Sequence, residues 1–178
     1  TNWAEASTNI QSAIDACAAG DVVVVTNGTY APAATVRVTN GVTLASLNGR
    51  NTVVLDGSAM AAGQDAVFLQ FGTLEGFTVS NALRHGVKSE SGAIYNSRVT
   101  HSRTNGIDSY TTPRVVADST LVVTNTIVRK SGGIGLYTCA VDTRIEGCTI
   151  AESASTGVAL RQNDTTGVIQ VPRVSNFL

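Results

Sequence analysis

The sequence predicts an all-β protein whose short strands stack as a parallel β-helix, and two observations support this prediction. Four segments share one punctuation, with Gly or Asn third, Val or Ile sixth and Gly thirteenth: residues 74–86, 94–106, 123–135 and 145–157. Apolar and polar residues alternate inside these segments, which is the period of a strand and not of a helix. Repeats of this length, built from short strands and turns, are typical of a solenoid.

Two sets of residues in the repeat predict turns that stack on one another. The third-position residues are Gly76, Asn96, Asn125 and Gly147, and the closing glycines are Gly86, Gly106, Gly135 and Gly157. Gly and Asn accept the left-handed backbone that a sharp turn needs. We expect each set to form a column, with Asn96 and Asn125 bonded to each other as a ladder of side-chain amides.

The closing glycines are separated by 20, 29 and 22 residues, so one interval is longer than the others. The longer interval contains residues 109–120, SYTTPRVVADST, which we interpret as a loop of roughly eight extra residues expelled at a turn. Such a loop either flanks a binding surface or is a neutral decoration, and the sequence leaves both readings open.

Strands are also predicted before the regular repeat. Residues 21–30, DVVVVTNGTY, are the most apolar stretch and should hold the first strand, followed by alternating segments at residues 36–49 and 51–58. Asn-Gly and Asp-Gly steps separate these strands. Roughly seven coils result, and at about 4.8 Å per coil they form a rod on the order of 35 Å long.

An amphipathic helix is predicted over residues 9–20, NIQSAIDACAAG. Ile10, Ala13, Ile14 and Cys17 form one apolar stripe, with Thr8 or Asn9 as the N-cap and Gly20 at the end. We expect this helix to cover the first coil, whose strands otherwise expose unpaired backbone. The chain is thus interpreted as one domain with a cap at residues 1–20, coils at residues 21–165 and a tail at residues 166–178.

Composition narrows the range of partners. Hydrophobic residues make up 43% of the 178 residues, only 14% are charged, and the net charge is −1. This balance gives no electrostatic reason to expect nucleic acid or an anionic membrane as partner, and no apolar run approaches the roughly 20 residues of a membrane span. The odd number of cysteines (Cys17, Cys139 and Cys148) favours free thiols, with a Cys139–Cys148 bridge as the alternative.

The segment NIQSAIDACAAGDVVVVTNGTY and the later IEGCTI and TGV units resemble the secreted bacterial right-handed β-helix proteins of the pectate-lyase-like superfamily. The resemblance covers roughly residues 9–165 and implies a right-handed solenoid that is exported or attached to the cell surface, with any signal peptide removed before residue 1. Members of that superfamily include polysaccharide lyases, galacturonan hydrolases and adhesins, so the repeat predicts a fold and not an activity.

In the enzymes of this superfamily the chemistry lies on the strand after the closing glycine. If the chain is a uronate lyase, Lys88, Tyr137, Arg161 and His85 could supply the base and the positive charge, and Asp108 is a further residue of the same groove. Calcium is expected only for such a lyase, and no acidic cluster suggests its site. An inverting hydrolase would need a carboxylate pair about 6.5–9.5 Å apart, for which Asp108 and Glu90 are the candidates on this face. The ordinary alternative is a solvated face with no catalytic residues and no metal.

Two functional classes therefore remain. We expect a non-catalytic structural or adhesive module, and the alternative is a polysaccharide-active enzyme that uses the outward groove. The partner is either the protein itself or an extracellular polysaccharide. The tail carries apolar residues that could add to another subunit or fold back on the same chain: Val168, Val171, Val174, Phe177 and Leu178.

Overall fold

The structure, a computed structural model, describes residues 6–109, 119–140 and 142–161 and the backbone of residues 173–175. The described residues contain one α-helix, α1 (Ile10–Asp15), and a short 3-10 helix at Gly57–Ala59. The strands are β1 (Val22–Val25), β2 (Gly28–Tyr30), β3 (Val36–Thr39), β4 (Thr43–Ser46), β5 (Val53–Asp56), β6 (Val67–Glu75), β7 (Thr78–Ser80), β8 (Val87–Tyr95), β9 (Arg98–Thr100), β10 (Ile107–Ser109), β11 (Thr120–Thr124), β12 (Ile127–Arg129), β13 (Leu136–Thr138), β14 (Asp142–Glu146), β15 (Thr149–Ala151), β16 (Val158–Leu160) and β17 (Arg173–Ser175). The predicted all-β class is confirmed.

The strands form two sheets in which every pairing between described strands is parallel. The smaller sheet has the order β15-β12-β9-β7-β5-β2. The larger sheet contains two runs, β3-β6-β8-β10-β13-β16 and β1-β4-β6-β8-β11-β14-β17, which share the long strands β6 and β8. Each strand pairs with the strand one repeat later, so side chains at equivalent repeat positions become neighbours.

The helix α1 is shorter than the predicted residues 9–20. Asn9 is the N-cap, and its side chain accepts a hydrogen bond from the Ser12 amide at 3.1 Å. The helix ends at Asp15, because the Asp21 carboxylate draws the Ala18 amide into a turn at 2.8 Å before the chain enters β1. No helix in the described part of the chain is long and apolar enough to cross a membrane.

A side chain of α1 covers the edge of the first run. Gln11 Nε2 donates to the Arg37 carbonyl at 3.2 Å, and the Arg37 amide donates to Gln11 Oε1 at 2.8 Å. The Gln11 amide therefore takes the place of a neighbouring strand beside β3. This pairing satisfies backbone groups that would otherwise form an exposed edge.

The core consists of the inward-facing residues of the smaller sheet and of the two runs of the larger sheet, as the alternation predicts. Val67, Val87, Ile107 and Leu136 are completely buried and lie in register on neighbouring strands. The aliphatic stack continues on the other runs, for example Leu74, Ile94, Val123 and Ile145. Burying a Val, Leu or Ile side chain contributes roughly 1.5–3 kcal/mol, so this stack is the main source of stability.

The closing glycines follow one another across the larger sheet. The amide that follows each glycine donates to the carbonyl of the next one: Val87 to Gly106 at 2.9 Å, Ile107 to Gly135 at 2.9 Å and Leu136 to Gly157 at 2.9 Å. A Cβ on Gly106 would lie 2.3 Å from Val128 Cγ1 and 2.6 Å from the Gly135 carbonyl oxygen. The next strand leaves no room for a side chain, which explains why glycine recurs there.

Two columns of left-handed residues mark the turns. Gly76, Asn96, Asn125 and Gly147 have φ values of 76°, 50°, 48° and 60°. The side-chain amide of Asn125 donates to Asn96 Oδ1 at 2.8 Å. A second column, which the sequence did not indicate, follows the strands of the smaller sheet: Asn81, His101, Lys130 and Glu152, with φ from 53° to 56°.

All three cysteines are free thiols, so the alternative Cys139–Cys148 bridge does not form. Cys148 is buried and its Sγ donates to the Val123 carbonyl at 3.3 Å. Burial raises the pKa of the Cys148 thiol, which keeps it protonated and unreactive at neutral pH.

Candidate site on the outward face of the larger sheet

Lys88, Asp108 and Tyr137 occupy adjacent positions on the outward face of β8, β10 and β13. Asp108 is the register partner of Lys88 on one side and of Tyr137 on the other. The residue before each of them is completely buried, so these three side chains point away from the core. Neighbours in such a column lie about 4.8 Å apart along the stack.

The column continues to Phe68 on β6, which the sequence did not single out. Phe68 is the register partner of Lys88. The guanidinium of Arg37 stacks over the Phe68 ring at 4.4 Å from its centroid. The Phe68 ring, with the Arg37 guanidinium stacked on it, therefore lies next to the candidate residues.

Asp108 lies at the centre of a nearly buried polar cluster. Its Oδ1 forms an ion pair with the Lys88 ammonium, and the side chains of Asp108 and Lys88 are only 5% and 13% exposed. The Asn105 side-chain amide donates to Asp108 Oδ2 at 2.6 Å. Each carboxylate oxygen thus accepts from a neighbouring side chain, so Asp108 is held within the cluster.

His85 joins this cluster as a neutral imidazole. The backbone amide nitrogen of Asn105 lies 3.3 Å from His85 Nδ1, and the Thr104 hydroxyl lies 3.0 Å from the same ring nitrogen. A backbone amide can only donate, so Nδ1 is the acceptor and the ring proton is on Nε2. Burial lowers the pKa of His85, although Asp108, whose Oδ2 is 3.8 Å from Nδ1, and Asp65 act in the opposite direction.

The Thr104 hydroxyl beside His85 resembles a nucleophile beside its base, but the third group is misplaced. An orienting carboxylate would have to bind the other ring nitrogen, as in hydrolase triads. Asp108 instead approaches the same nitrogen, Nδ1, that faces Thr104. The arrangement therefore does not make Thr104 a nucleophile.

Asp65 extends the cluster by one strand. The His85 amide donates to Asp65 Oδ1 at 3.2 Å, and Arg84 Nη1 lies 3.6 Å from Asp65 Oδ2. Asp65 precedes Ala66, whose amide donates to the His85 carbonyl, so Ala66 holds the place of a closing glycine. Because alanine replaces glycine here, the sequence pattern did not identify this repeat or the position of Asp65 in it.

Tyr137 and Arg161 form a second pair in the same face. Arg161 Nη1 donates to the Tyr137 hydroxyl at 3.3 Å. Burial raises the pKa of Tyr137, and the hydrogen bond from Arg161 only partly opposes this effect. Tyr137 therefore stays a phenol at neutral pH instead of becoming a phenolate base.

Glu90 is engaged by the preceding strand. Gln70 Nε2 donates to Glu90 Oε2 at 2.7 Å, at the point where the register between β6 and β8 shifts. Each member of the candidate hydrolase pair thus has its own partners, since Asp108 binds Lys88 and Asn105.

Within the described residues, no group of three or more His, Cys, Asp or Glu side chains could hold a metal ion.

Most of the apolar tail lies outside the described residues. Val168, Val171, Phe177 and Leu178 are among those on which the structure gives no information. Val174 belongs to β17, where its backbone is in register with Ile145 of β14. That part of the tail therefore pairs within the same chain. Residues 110–118, most of the predicted loop, and Trp3 also lie outside the described residues.

Comparisons with known proteins give no match: no protein-family model, curated protein or solved structure matches this chain. The likeness to the pectate-lyase-like superfamily thus remains an expectation from the repeat motifs.

Proposed function

We propose that the chain is a right-handed parallel β-helix of about seven coils. The supporting observation is the order of the strands in the smaller sheet and in the two runs of the larger sheet. In each of the three, a strand pairs in parallel with its counterpart one repeat later. Parallel strands joined by crossovers in one sheet are right-handed in about 98% of cases, which favours that hand here. The pectate-lyase-like resemblance of the repeat agrees with this architecture.

The function we propose for this rod is a non-catalytic structural or adhesive role outside the cell or at its surface. One observation carries this proposal: the candidate acid and base groups bind one another. Lys88 is paired with Asp108, and Tyr137 receives a hydrogen bond from Arg161. Only 14% of all residues are charged, which is also compatible with a rod that acts by binding other surfaces.

Uronate elimination needs a base poised to remove a proton, and each candidate base has another partner. The Lys88 ammonium serves as counter-ion to Asp108, and the His85 Nδ1 lone pair faces the Asn105 amide. Tyr137 has a raised pKa, the opposite of what a phenolate base requires. These groups stabilise the stack rather than awaiting a substrate.

Self-association end to end is the partner interaction that this proposal includes. β1 and β16 are the terminal strands of their runs among the described strands. Val22, Val24 and Leu160 on these strands are 57%, 43% and 43% exposed. Terminal strands with exposed apolar side chains favour addition of another chain.

Incubation of the purified chain with pectins and alginates tests the absence of catalysis. Release of unsaturated uronides would appear as ultraviolet absorbance, and none is expected. Uronide release that disappears in Lys88→Met but persists in a control at an exposed lysine, Lys130→Met, would overturn the proposal. Sedimentation velocity and negative-stain imaging test assembly, and rods joined end to end are expected at high concentration.

A second candidate, a polysaccharide-active enzyme, has one observation in its favour. Phe68, Lys88, Asp108 and Tyr137 form an unbroken outward column, and Arg161 bonds to its last member. Such a row of aromatic and charged groups could lie along an extended glycan. The uronide assay separates the two candidates, and added calcium extends it to a calcium-dependent lyase.

A further inference from the structure

Four Asn-Gly steps occur in the described residues, beginning at Asn27, Asn40, Asn48 and Asn105. This dipeptide is chemically labile, because the glycine amide nitrogen can attack the asparagine side-chain carbonyl carbon. A new C–N bond then forms, ammonia leaves with the proton from that amide, and a succinimide remains. Solvent water opens the ring at either carbonyl and gives aspartate or isoaspartate.

Three of the four steps are protected by hydrogen bonds. In each, the attacking glycine amide donates to a fixed acceptor: Gly28 to Thr52 O at 2.9 Å, Gly49 to Ser46 Oγ at 2.9 Å and Gly106 to Ile134 O at 3.0 Å. Their asparagine side chains are also held, since Asn48 donates to Asn27 Oδ1 at 2.9 Å and Asn105 to Asp108 at 2.6 Å. Both reacting groups must break these bonds before they can meet.

The fourth step, Asn40-Gly41, differs in every one of these respects. It forms the two-residue turn between β3 and β4, and both residues are exposed with φ values of 57° and 74°. The turn is closed by the Val42 amide, which donates to the Thr39 carbonyl at 3.1 Å. Within the described part of the chain, neither the Gly41 amide nor the Asn40 side chain forms a hydrogen bond.

We propose that Asn40 is the residue at which the folded chain deamidates spontaneously. At each protected step at least one hydrogen bond has to break before the glycine nitrogen can attack, which slows deamidation there by about tenfold relative to Asn40. The products matter for the fold, because the completely buried Val38 and the nearly buried Val42 flank the turn. Isoaspartate inserts an extra methylene into the backbone between these two anchors and should therefore weaken the β3–β4 connection.

The test follows deamidation of the full chain at mildly alkaline pH, in buffer and in concentrated urea. Peptide mapping by mass spectrometry detects each conversion of an amide to an acid. In buffer, the peptide containing Asn40 should convert about tenfold faster than those containing Asn27, Asn48 and Asn105. In urea the four steps should react at similar rates, because protection by the fold is lost.

Two outcomes would overturn the proposal: native rates that are equal at the four steps, or a faster reaction at any step other than Asn40. The variant Asn40→Gln provides a matched control, since it keeps a side-chain amide but disfavours the five-membered ring. Its thermal midpoint should stay constant during the incubation while that of the unsubstituted chain falls. An unchanged midpoint after conversion at Asn40 would contradict the claimed effect on the turn.

Discussion

The side-chain amide of Asn125 donates a hydrogen bond to Asn96 Oδ1 across 2.8 Å, and both residues have a left-handed backbone. Gly76 and Gly147 hold the equivalent turn positions on either side. The residue type in this column is therefore set by the backbone first, and the amide ladder is added where asparagine is present. This order of effects gives a pair of variants that separates them.

Asn125→Ala should destabilise the chain more than Asn125→Gly. Both substitutions remove the hydrogen bond to Asn96, worth about 1 kcal/mol. Glycine adopts the left-handed conformation without steric cost, whereas for alanine it costs about 1–2 kcal/mol more. Urea unfolding followed by circular dichroism measures the two differences. Equal losses in the two variants would show that the backbone conformation at position 125 is unimportant.

Gly106→Ala should lower the free energy of unfolding by about 3 kcal/mol. The new methyl group would lie 2.3 Å from Val128 Cγ1 and 2.6 Å from the Gly135 carbonyl oxygen, and a backbone oxygen cannot move aside. Gly157→Ala is the matched control, because no described atom lies within 4 Å of its Cβ position. The control should change stability by no more than about 0.5 kcal/mol, and a comparable loss in both variants would argue against close stacking of the glycine column.

Lys88→Met should be costly because it leaves the Asp108 carboxylate buried without its counter-ion. The side chains are 13% and 5% exposed, so a loss of about 3 kcal/mol is expected. The double variant Lys88→Met/Asp108→Asn should recover part of that loss, since no unpaired charge remains. Additive losses in a double-mutant cycle would contradict the ion pair.

Stability should fall as the pH is lowered through about 6.5, the ordinary pKa of histidine. Burial lowers the pKa of His85 in the folded chain, so the unfolded chain binds a proton first and is favoured by acid. Asp108, Asp65, Arg84 and Lys88 are the charged groups that act on this ring.

The His85 contribution is complete above about pH 6.5 and is lost between that value and the lower pKa of the folded state. His85→Gln should remove this part of the pH dependence, measured as the urea midpoint at a series of pH values. Carboxylates titrate at lower pH, so the window just below pH 6.5 isolates histidine. A wild-type curve that is flat in this window would contradict the assignment.

The strands and their parallel pairing could be predicted because alternation and turn residues recur at fixed spacing. The end of α1 could not, since it depends on the Asp21 side chain, which captures the Ala18 amide. Nor could the second left-handed column, which includes residues as different as His101, Lys130 and Glu152. There the backbone imposes the conformation on whichever residue follows the strand.

The candidate site was only partly accessible to sequence reasoning. Counting outward from the closing glycines identifies Lys88, Asp108 and Tyr137 as one column. The role of Asn105 was not evident, because its bond to Asp108 depends on a side chain that reaches three residues along the chain. Asp65 was missed because Ala66 interrupts the glycine pattern that would have marked its strand.

Nuclear Overhauser contacts between backbone protons of adjacent strands measure the parallel stacking of the strands itself. We expect parallel-strand contacts that link Val87 to Ile107, Ile107 to Leu136 and Leu136 to Val158, in that order. Antiparallel contacts between α-protons, or contacts that link these residues in a different order, would contradict this stacking.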